Sequence, residues 1–400
     1  MTKLAIHGGK PQREAPFPNW PVSGPREEEL IREVLASGQW GGFHEFVAQF
    51  EQLFAGLHDA RYGVAVANGS IGLELALLAA GIGPGDEVIV PAHSFIATAT
   101  AVSRVGATPV FVDIGRDSFN MDFQAMEKAI GDNTKAVIPV HFAGLVCDAE
   151  ELTRLQRLHR FRIIEDAAHA HGAEWNGARA GGIGLAGVFS FQNSKAMTAG
   201  EGGILISSDD ETAARARSIA NGGRRSDGGW FEHFELGTNL RITGFQAAVL
   251  LAQLERLPEQ IRIRRENAEI VRDGLSRVPG LHLQELPEAA TVHTHYLLPG
   301  WIDAPEFGAD RDDFVAALEA EGVPIRPFYP HPLYKNPVFK NKDVKSRVTA
   351  CPVAEAAARD SFWLPQRVLM GTAEDAHDIV RAVEKIHEVF KPKKTAGKPN

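Results

Sequence analysis

From Tyr62 onward, short apolar runs alternate with stretches of helical spacing. Tyr62–Ala67, Glu87–Pro91, Thr108–Val112, Ala136–Val140 and Arg162–Glu165 predict strands. Between them Ile71–Ala80, Phe95–Val105, Asp122–Ile130 and Ala149–His159 predict helices. The strands carry almost no polar alternation, as expected when helices cover both faces of a mainly parallel sheet. Two more apolar runs, Val188–Phe191 and Ile204–Ser207, and a helix at Glu211–Ala220 continue the repetition, so the fold class is α/β. Upstream, Glu27–Ser37 and Glu45–Leu57 read as helices, the second with Phe46, Phe50, Leu53 and Leu57 on one face. Residues 1–25, rich in Pro and Gly, read as an extended arm docked on another surface. Downstream, Gly244–Leu257 predicts an apolar helix that Pro258 kinks or restarts. The run Arg262–Arg272, with alternating signs, predicts a solvated helix face linking two domains. Beyond about residue 275 the texture changes. Strands at Leu281–Leu283, His295–Pro299 and Pro324–Phe328 mix with helices at Arg311–Glu321, Val353–Phe362 and Ala373–Val389, which predicts a smaller α+β domain. The expected division is an arm 1–25, a large domain 26–260, a small domain 261–390 and a basic, disordered tail 391–400.

A chain of 400 residues exceeds the size at which one core stops growing, which agrees with two domains. The net charge of -9 argues against a nucleic-acid footprint. Cys147 and Cys351 match no zinc or redox spacing, so a disulfide framework is not expected. The N-terminus lacks the apolar core of an export signal and no run of 18 apolar residues occurs, so no membrane partner is expected and the cytoplasm is the expected compartment.

In an open parallel sheet, ligands bind beyond the carboxyl ends of the strands. The residues there are therefore informative. After the first strand, Asn68-Gly69-Ser70-Ile71 opens a helix, either as a plain N-cap or as an anion site on free N–H groups. After the second, Phe95 is either core or a plate for a planar ring. After the fifth, Asp166 precedes only small residues and histidines, an environment that does not suit a solvated face. Lys195 lies in FSFQNSKAMTAGEGG, where it is either an exposed loop lysine or a pocketed amine able to attack carbonyls. Trp40, between Gln39 and Gly41-Gly42, anchors a turn or borders a ligand. Gly182–Gly187 matches G-x-G-x-x-G but precedes a strand, which argues against a dinucleotide site. His169 with His171, and His293 with His295, have a spacing open to metal, but no matching Cys or carboxylate pattern, so no metal is expected. Asp166, Lys195, an anion corner and an aromatic plate at one edge meet the needs of pyridoxal 5'-phosphate: a Schiff-base lysine, an acid for the ring nitrogen and a phosphate seat.

Nearly the whole chain, through NGSIGLELALLAAGIGPGDEVIVPAHSFIATA, IEDAAHAHGAEWNG, FSFQNSKAMTAGEGG and LGTNLRITGFQAAVLLAQLERL, resembles the DegT/DnrJ/EryC1/StrS sugar aminotransferases, pyridoxal 5'-phosphate enzymes of fold type I. The resemblance implies that Lys195 is the Schiff-base lysine and proton shuttle and Asp166 the partner of the ring nitrogen. It further implies Gly69, Ser70, Ile71 and Ser190 at the phosphate, Phe95 stacked on the ring, and Asn239 reaching the phosphate of the neighbouring subunit of a homodimer. His169 stands where many members have Gln and would contact the ring oxygen. With SFQNSK, it is similar to the branch acting on cyclitols such as scyllo-inosose and on the precursor of 3-amino-5-hydroxybenzoate, whose usual donor is glutamine. Ping-pong transfer from glutamine or glutamate to a keto sugar or keto cyclitol is expected, with Trp40, Gln192, Tyr329 and His331 as candidates for holding substrate hydroxyls. Alternatives are an aromatising 3-amino-5-hydroxybenzoate synthase, a sugar dehydratase and a non-catalytic regulator; in the dehydratases a His resembles the replacement of the lysine that is present here.

Overall fold

Strands that are apolar on both faces need cover on both sides, and the computed structural model, which describes residues 3–392, supplies it. In chain order the strands are β1 (Tyr62–Val66), β2 (Glu87–Pro91), β3 (Thr108–Val112), β4 (Thr134–Val137), β5 (Arg162–Asp166), β6 (Glu174–Trp175), β7 (Ala178–Arg179), β8 (Ala186–Ser190) and β9 (Gly203–Ser207). Then follow β10 (Leu281–Leu283), β11 (Leu297–Ile302), β12 (Arg326–Pro327), β13 (Arg347–Val348) and β14 (Ser361–Pro365). The large sheet has the order β1-β9-β8-β5-β4-β2-β3-β13, and β10-β11-β14-β12 form a second sheet. β9 runs antiparallel to both its neighbours, and the other pairs of the large sheet are parallel. β1, β8, β5 and β2 therefore point the same way, and their carboxyl ends share one edge.

The helices of the first 275 residues are α1 (Pro25–Ser37), α2 (Glu45–Leu57), α3 (Gly69–Ala79), α4 (Ala97–Arg104), α5 (Phe123–Ala129), α6 (Ala149–His159), α7 (Asp210–Ala220) and α8 (Gly244–Leu275). α2 lays Phe50 and Phe54 against Phe189 of β8 and Phe191 just after it, with the Phe54 and Phe189 rings 4.9 Å apart. Each such ring, fully buried, stabilises the fold by roughly 1.5–3 kcal/mol.

Four expectations need correction. α8 continues through Pro258 instead of restarting. Its first half buries Ala247, Leu250 and Leu251 in one core, and its second half buries Ala268, Val271 and Leu275 in another. Burial on both sides offsets the roughly 3 kcal/mol an interior proline costs. The charged run on that helix is not wholly solvated: Arg262 pairs with Glu259 and Glu266 at the surface, but Arg264 is fully buried. The strand expected from His295 begins at Leu297, because His295 has φ +49°, outside the extended region. Finally, the helix expected to reach Phe362 stops at Asp360, and the chain turns into β14 with Phe362 and Leu364 buried on alternate positions. β13 was not foreseen either; it joins the edge of the large sheet, where Arg347 makes a bidentate pair with Glu87 at 3.0 and 2.6 Å.

The N-terminal segment packs Leu4 and Phe17 into the core that also holds Val271 and Ile379. Buried Glu321 accepts bonds from the Ala5 and Gln12 amides, both at 2.8 Å, and from Lys385. The tail expected from 391 onward lies outside the described residues from 393 on. No helix among the described residues is long and apolar enough to cross a membrane.

Candidate active site

Asp166 closes β5 with its side chain buried, and Thr98 in α4 donates to its Oδ2 at 2.7 Å. Ser94 Oγ lies 2.9 Å from Thr98 Oγ1. A hydroxyl has one proton, and Thr98 gives its own to Asp166, so Ser94 must be the donor of that second bond. A directed relay Ser94 to Thr98 to Asp166 results. Burial pushes the Asp166 pKa up, and the Thr98 bond, followed by the charge of Lys195, opposes it.

Lys195 lies in the turn after β8, with its amide bonded to Gln192 O at 2.9 Å. Its side chain is half-buried, not a freely exposed loop lysine, and Nζ lies 4.7 Å from the centre of the Tyr296 ring. Tyr296 also approaches Ser194 Oγ through its hydroxyl at 3.0 Å. Gln366 Nε2 donates to Ser194 O and Lys195 O, both at 2.9 Å.

At the next strand end, Asn68 caps α3 and its Oδ1 accepts from the Ile71 amide at 2.9 Å. That amide is therefore engaged, whereas Gly69 and Ser70 sit in a first turn where N–H groups have no intrahelical carbonyl to reach. A Cβ on Gly69 would come within 2.9 Å of Ser190 Cβ, so glycine lets the helix start press against the end of β8. Likewise a Cβ on Gly203 would meet the Asn68 carbonyl carbon at 2.5 Å.

His169 is buried, and its Nδ1 accepts from the Ala143 amide at 3.3 Å. The proton therefore sits on Nε2, and burial, with the charges of Lys195 and His171, holds the ring neutral. Phe95 precedes α4 and is exposed. Tyr329 packs against His93 and Trp363, at 5.3 and 5.2 Å between rings, and burial raises its pKa. His331 is half-buried on the same segment. Gln192 turns its Oε1 onto its own loop, accepting from Ser194 N and Oγ at 2.8 Å. Trp40 and Asn239 stand apart: Trp40 is exposed beside Phe245 at 5.8 Å, and exposed Asn239 accepts from the Arg241 amide at 3.3 Å.

The glycine run 182–187 has a structural use. The amides of Gly181, Ile183 and Gly184 converge on the buried Glu165 carboxylate at 2.6, 2.8 and 2.7 Å. His171 spends Nε2 on Ser190 O at 2.9 Å, and among the described residues no group of three or more His, Cys, Asp or Glu side chains gathers as a metal site.

The model of the DegT/DnrJ/EryC1/StrS aminotransferase family matches residues 22–384. The chain belongs to that family. This aminotransferase is 38% identical to the L-glutamine:2-deoxy-scyllo-inosose aminotransferase of Streptomyces fradiae, over 96% of its own length and 98% of that protein. It is 36% identical to the 3-amino-5-hydroxybenzoate synthase of Amycolatopsis mediterranei, over 91% and 96% of the two chains. Among solved structures, a 3-amino-5-hydroxybenzoic acid synthase superposes with a TM-score of 0.87 at 35% identity, covering 94% of this chain and 99% of that one. The family, its α/β fold and the cyclitol and aminohydroxybenzoate branch expected from the motifs are thus borne out.

Several residues of this aminotransferase escaped the sequence reading. Thr98 lies inside a helix, where a threonine gives no functional signal. Tyr296 and Gln366 come from far along the chain. Glu165 was hidden beside Asp166, and its second partner, His141 Nε2 at 2.8 Å, has no nearby motif.

Proposed function

We infer that this aminotransferase binds pyridoxal 5'-phosphate through Lys195 and moves an amino group from glutamine or glutamate to a keto sugar or keto cyclitol in a ping-pong cycle. The observation that carries the reading is the buried Asp166 carboxylate, which shares its surroundings with Lys195 and Tyr329. A carboxylate kept in such a site with one hydroxyl and one amide as partners suits a protonated ring nitrogen. Gly69, Ser70 and Ser190 at the adjoining edge suit a phosphate. When bound, the cofactor supplies an electron sink for the bond broken at the donor carbon. Asp166 holds the ring nitrogen's proton, with its charge steadied by the Thr98 hydroxyl. Lys195 Nζ anchors the cofactor and, once the donor amine takes its place, carries the proton away from the donor carbon. His169 offers its Nε2 proton to the ring oxygen, and Phe95 stacks on the ring.

The relatives' names support glutamine as donor and a ketone on a cyclitol as acceptor. Tyr329 and His331 are proposed to contact that acceptor. Support for a homodimer comes from an exposed apolar face: Trp230, Phe231, Phe234 and Leu236 on the loop before α8, with Phe43 beside Trp230 at 6.0 Å. Asn239, on the same loop, is proposed to reach the partner's phosphate. The second sheet, with its own core around Val271 and Ile379, supports a small unit from 261 joined by α8 to a large unit through 260, while β13, Leu333, Phe339 and Ala354 pack with the large sheet. A cytoplasmic setting fits this biosynthetic reading.

The test is spectroscopic. The protein mixed with pyridoxal 5'-phosphate gains the visible band of a lysine-bound cofactor, and glutamine or glutamate discharges it. Lys195→Ala abolishes band and turnover; retention of either sinks the reading. A band that no amino donor discharges would instead indicate a regulator. Because a synthase of 3-amino-5-hydroxybenzoate is a relative at similar identity, ring aromatisation by the pure protein is the second activity to assay.

A further inference from the structure

Arg264 is fully buried on α8, yet among the described residues none of its bonds reaches a carboxylate. Nε donates to Thr294 O at 2.9 Å, Nη1 donates to Gln366 Oε1 at 3.1 Å and lies 3.6 Å from Met370 Sδ, and Nη2 has no partner among the described residues. Burial lowers its pKa to about 9, so it remains charged at neutral pH. A buried charge without a counter-ion is costly, and replacing such a group by an apolar one is often neutral or stabilising.

Its bonds show what it holds. A guanidinium can only donate, so Gln366 must turn Oε1 toward it and Nε2 away. That orientation aims Nε2 at the carbonyls of Ser194 and Lys195, which it bonds at 2.9 Å each. The Gln366 backbone is fixed in turn: its amide donates to Tyr296 O at 3.2 Å. Asn267, one turn beyond Arg264, ties down Leu369 O and Gly371 O at 2.8 and 2.9 Å. The carbonyl of the lysine that anchors the cofactor is thus gripped by a residue more than a hundred positions away.

We propose that Gln366 is a positioning residue for Lys195, and that Arg264 is kept buried and unpaired because it locks the Gln366 amide in the orientation that clamps the Ser194 and Lys195 carbonyls. This rests on the reading of Lys195 as the cofactor lysine. The lysine amine must leave and regain the cofactor in each cycle, and a fixed main chain gives the side chain a fixed pivot. Without the clamp, the amine has more conformations to search before it attacks.

The test uses Gln366→Met, which keeps the volume and removes both the donor and the acceptor, and the double variant Arg264→Met with Gln366→Met, which also removes the orphaned charge. Two readouts are followed well below Tm: hydrogen exchange of residues 191–199 in the cofactor-free protein, and the rate at which added pyridoxal 5'-phosphate gains the lysine-bound band. Gln366→Met should speed exchange in that segment and slow band formation about tenfold, the equivalent of losing one or two neutral hydrogen bonds. The double variant should recover Tm while exchange stays fast and band formation slow. Recovery of both readouts along with Tm, or no change in either variant, overturns the proposal. A wild-type protein that never gains the band refutes the cofactor reading instead, and the exchange arm still decides the clamp.

Discussion

Replacing Glu165 by Gln changes no volume, so its effect reads the hydrogen bonding of the buried carboxylate alone. Oε1 accepts from the Ile183 and Gly184 amides at 2.8 and 2.7 Å; Oε2 accepts from the Gly181 amide at 2.6 Å and from His141 Nε2 at 2.8 Å. His141 cannot reverse its role freely, because its Nδ1 already accepts from the Cys147 amide at 3.1 Å. All four partners are donors, and a glutamine amide has one acceptor oxygen. Whichever way it is turned, its NH2 faces two N–H groups, so two of four bonds are lost. With roughly 1.5–3 kcal/mol for each bond to a charged group, the loss is about 3–6 kcal/mol. That is a large share of a typical total of ~5–15 kcal/mol. Urea unfolding of the cofactor-free variant, followed by circular dichroism, should show a lower midpoint with an unchanged slope. Glu151→Gln, which breaks a solvated pair with Arg154, serves as the control and should move stability by less than about 0.5 kcal/mol. A loss below about 1 kcal/mol for Glu165→Gln would refute the view that this carboxylate organises the glycine turn 181–184.

Two further outcomes are open to measurement. Thr98→Val removes the hydroxyl bonded to Asp166, so the Asp166 pKa, already raised by burial, rises again. The folded protein then holds the Asp166 proton more tightly than the unfolded chain. Its favourable contribution is complete below the ordinary value of 3.8 and is lost as pH rises through the folded value. The variant's stability deficit should therefore be larger at pH 7 than at pH 4, and the acid limb of its kcat/KM profile should move to higher pH; an unshifted limb argues against the relay, and Thr98→Ser should restore it. In the proposed homodimer, Phe231→Asp combined with Leu236→Asp alters four exposed apolar side chains across the pair of subunits. At roughly 1.5–3 kcal/mol each, association weakens by about 6–12 kcal/mol, and sedimentation velocity should find monomers; an intact dimer places the interface elsewhere.

What was legible in the chain follows from the period of its elements. The strands of the large sheet are short and apolar throughout, so their ends could be found, and Ser70, Asp166 and Ser190 lie where strand ends put them. Lys195 could be added because it lies in the turn five residues after β8 ends. Residues that act from inside another element were hidden. Thr98 reads as an ordinary helical position, and the first two residues of β14 were absorbed into a helix because Phe362 falls four residues after Ala358 and eight after Ala354.

Arg264 shows a second kind of blindness, one that periodicity itself could have cured. Leu257, Gln260, Arg264, Asn267, Val271 and Leu275 are all buried and fall three or four residues apart along α8. Residue type alone places Arg264 with the solvated charges around it; position places it on the same stripe as the leucines. Two of the three polar members of that stripe bond outside the helix: Arg264 orients Gln366, and Asn267 holds the turn that carries it. Arg264 and Asn267, in register with the leucines, mark where this helix binds another segment's backbone. Here that segment leads back to the carbonyl of Lys195.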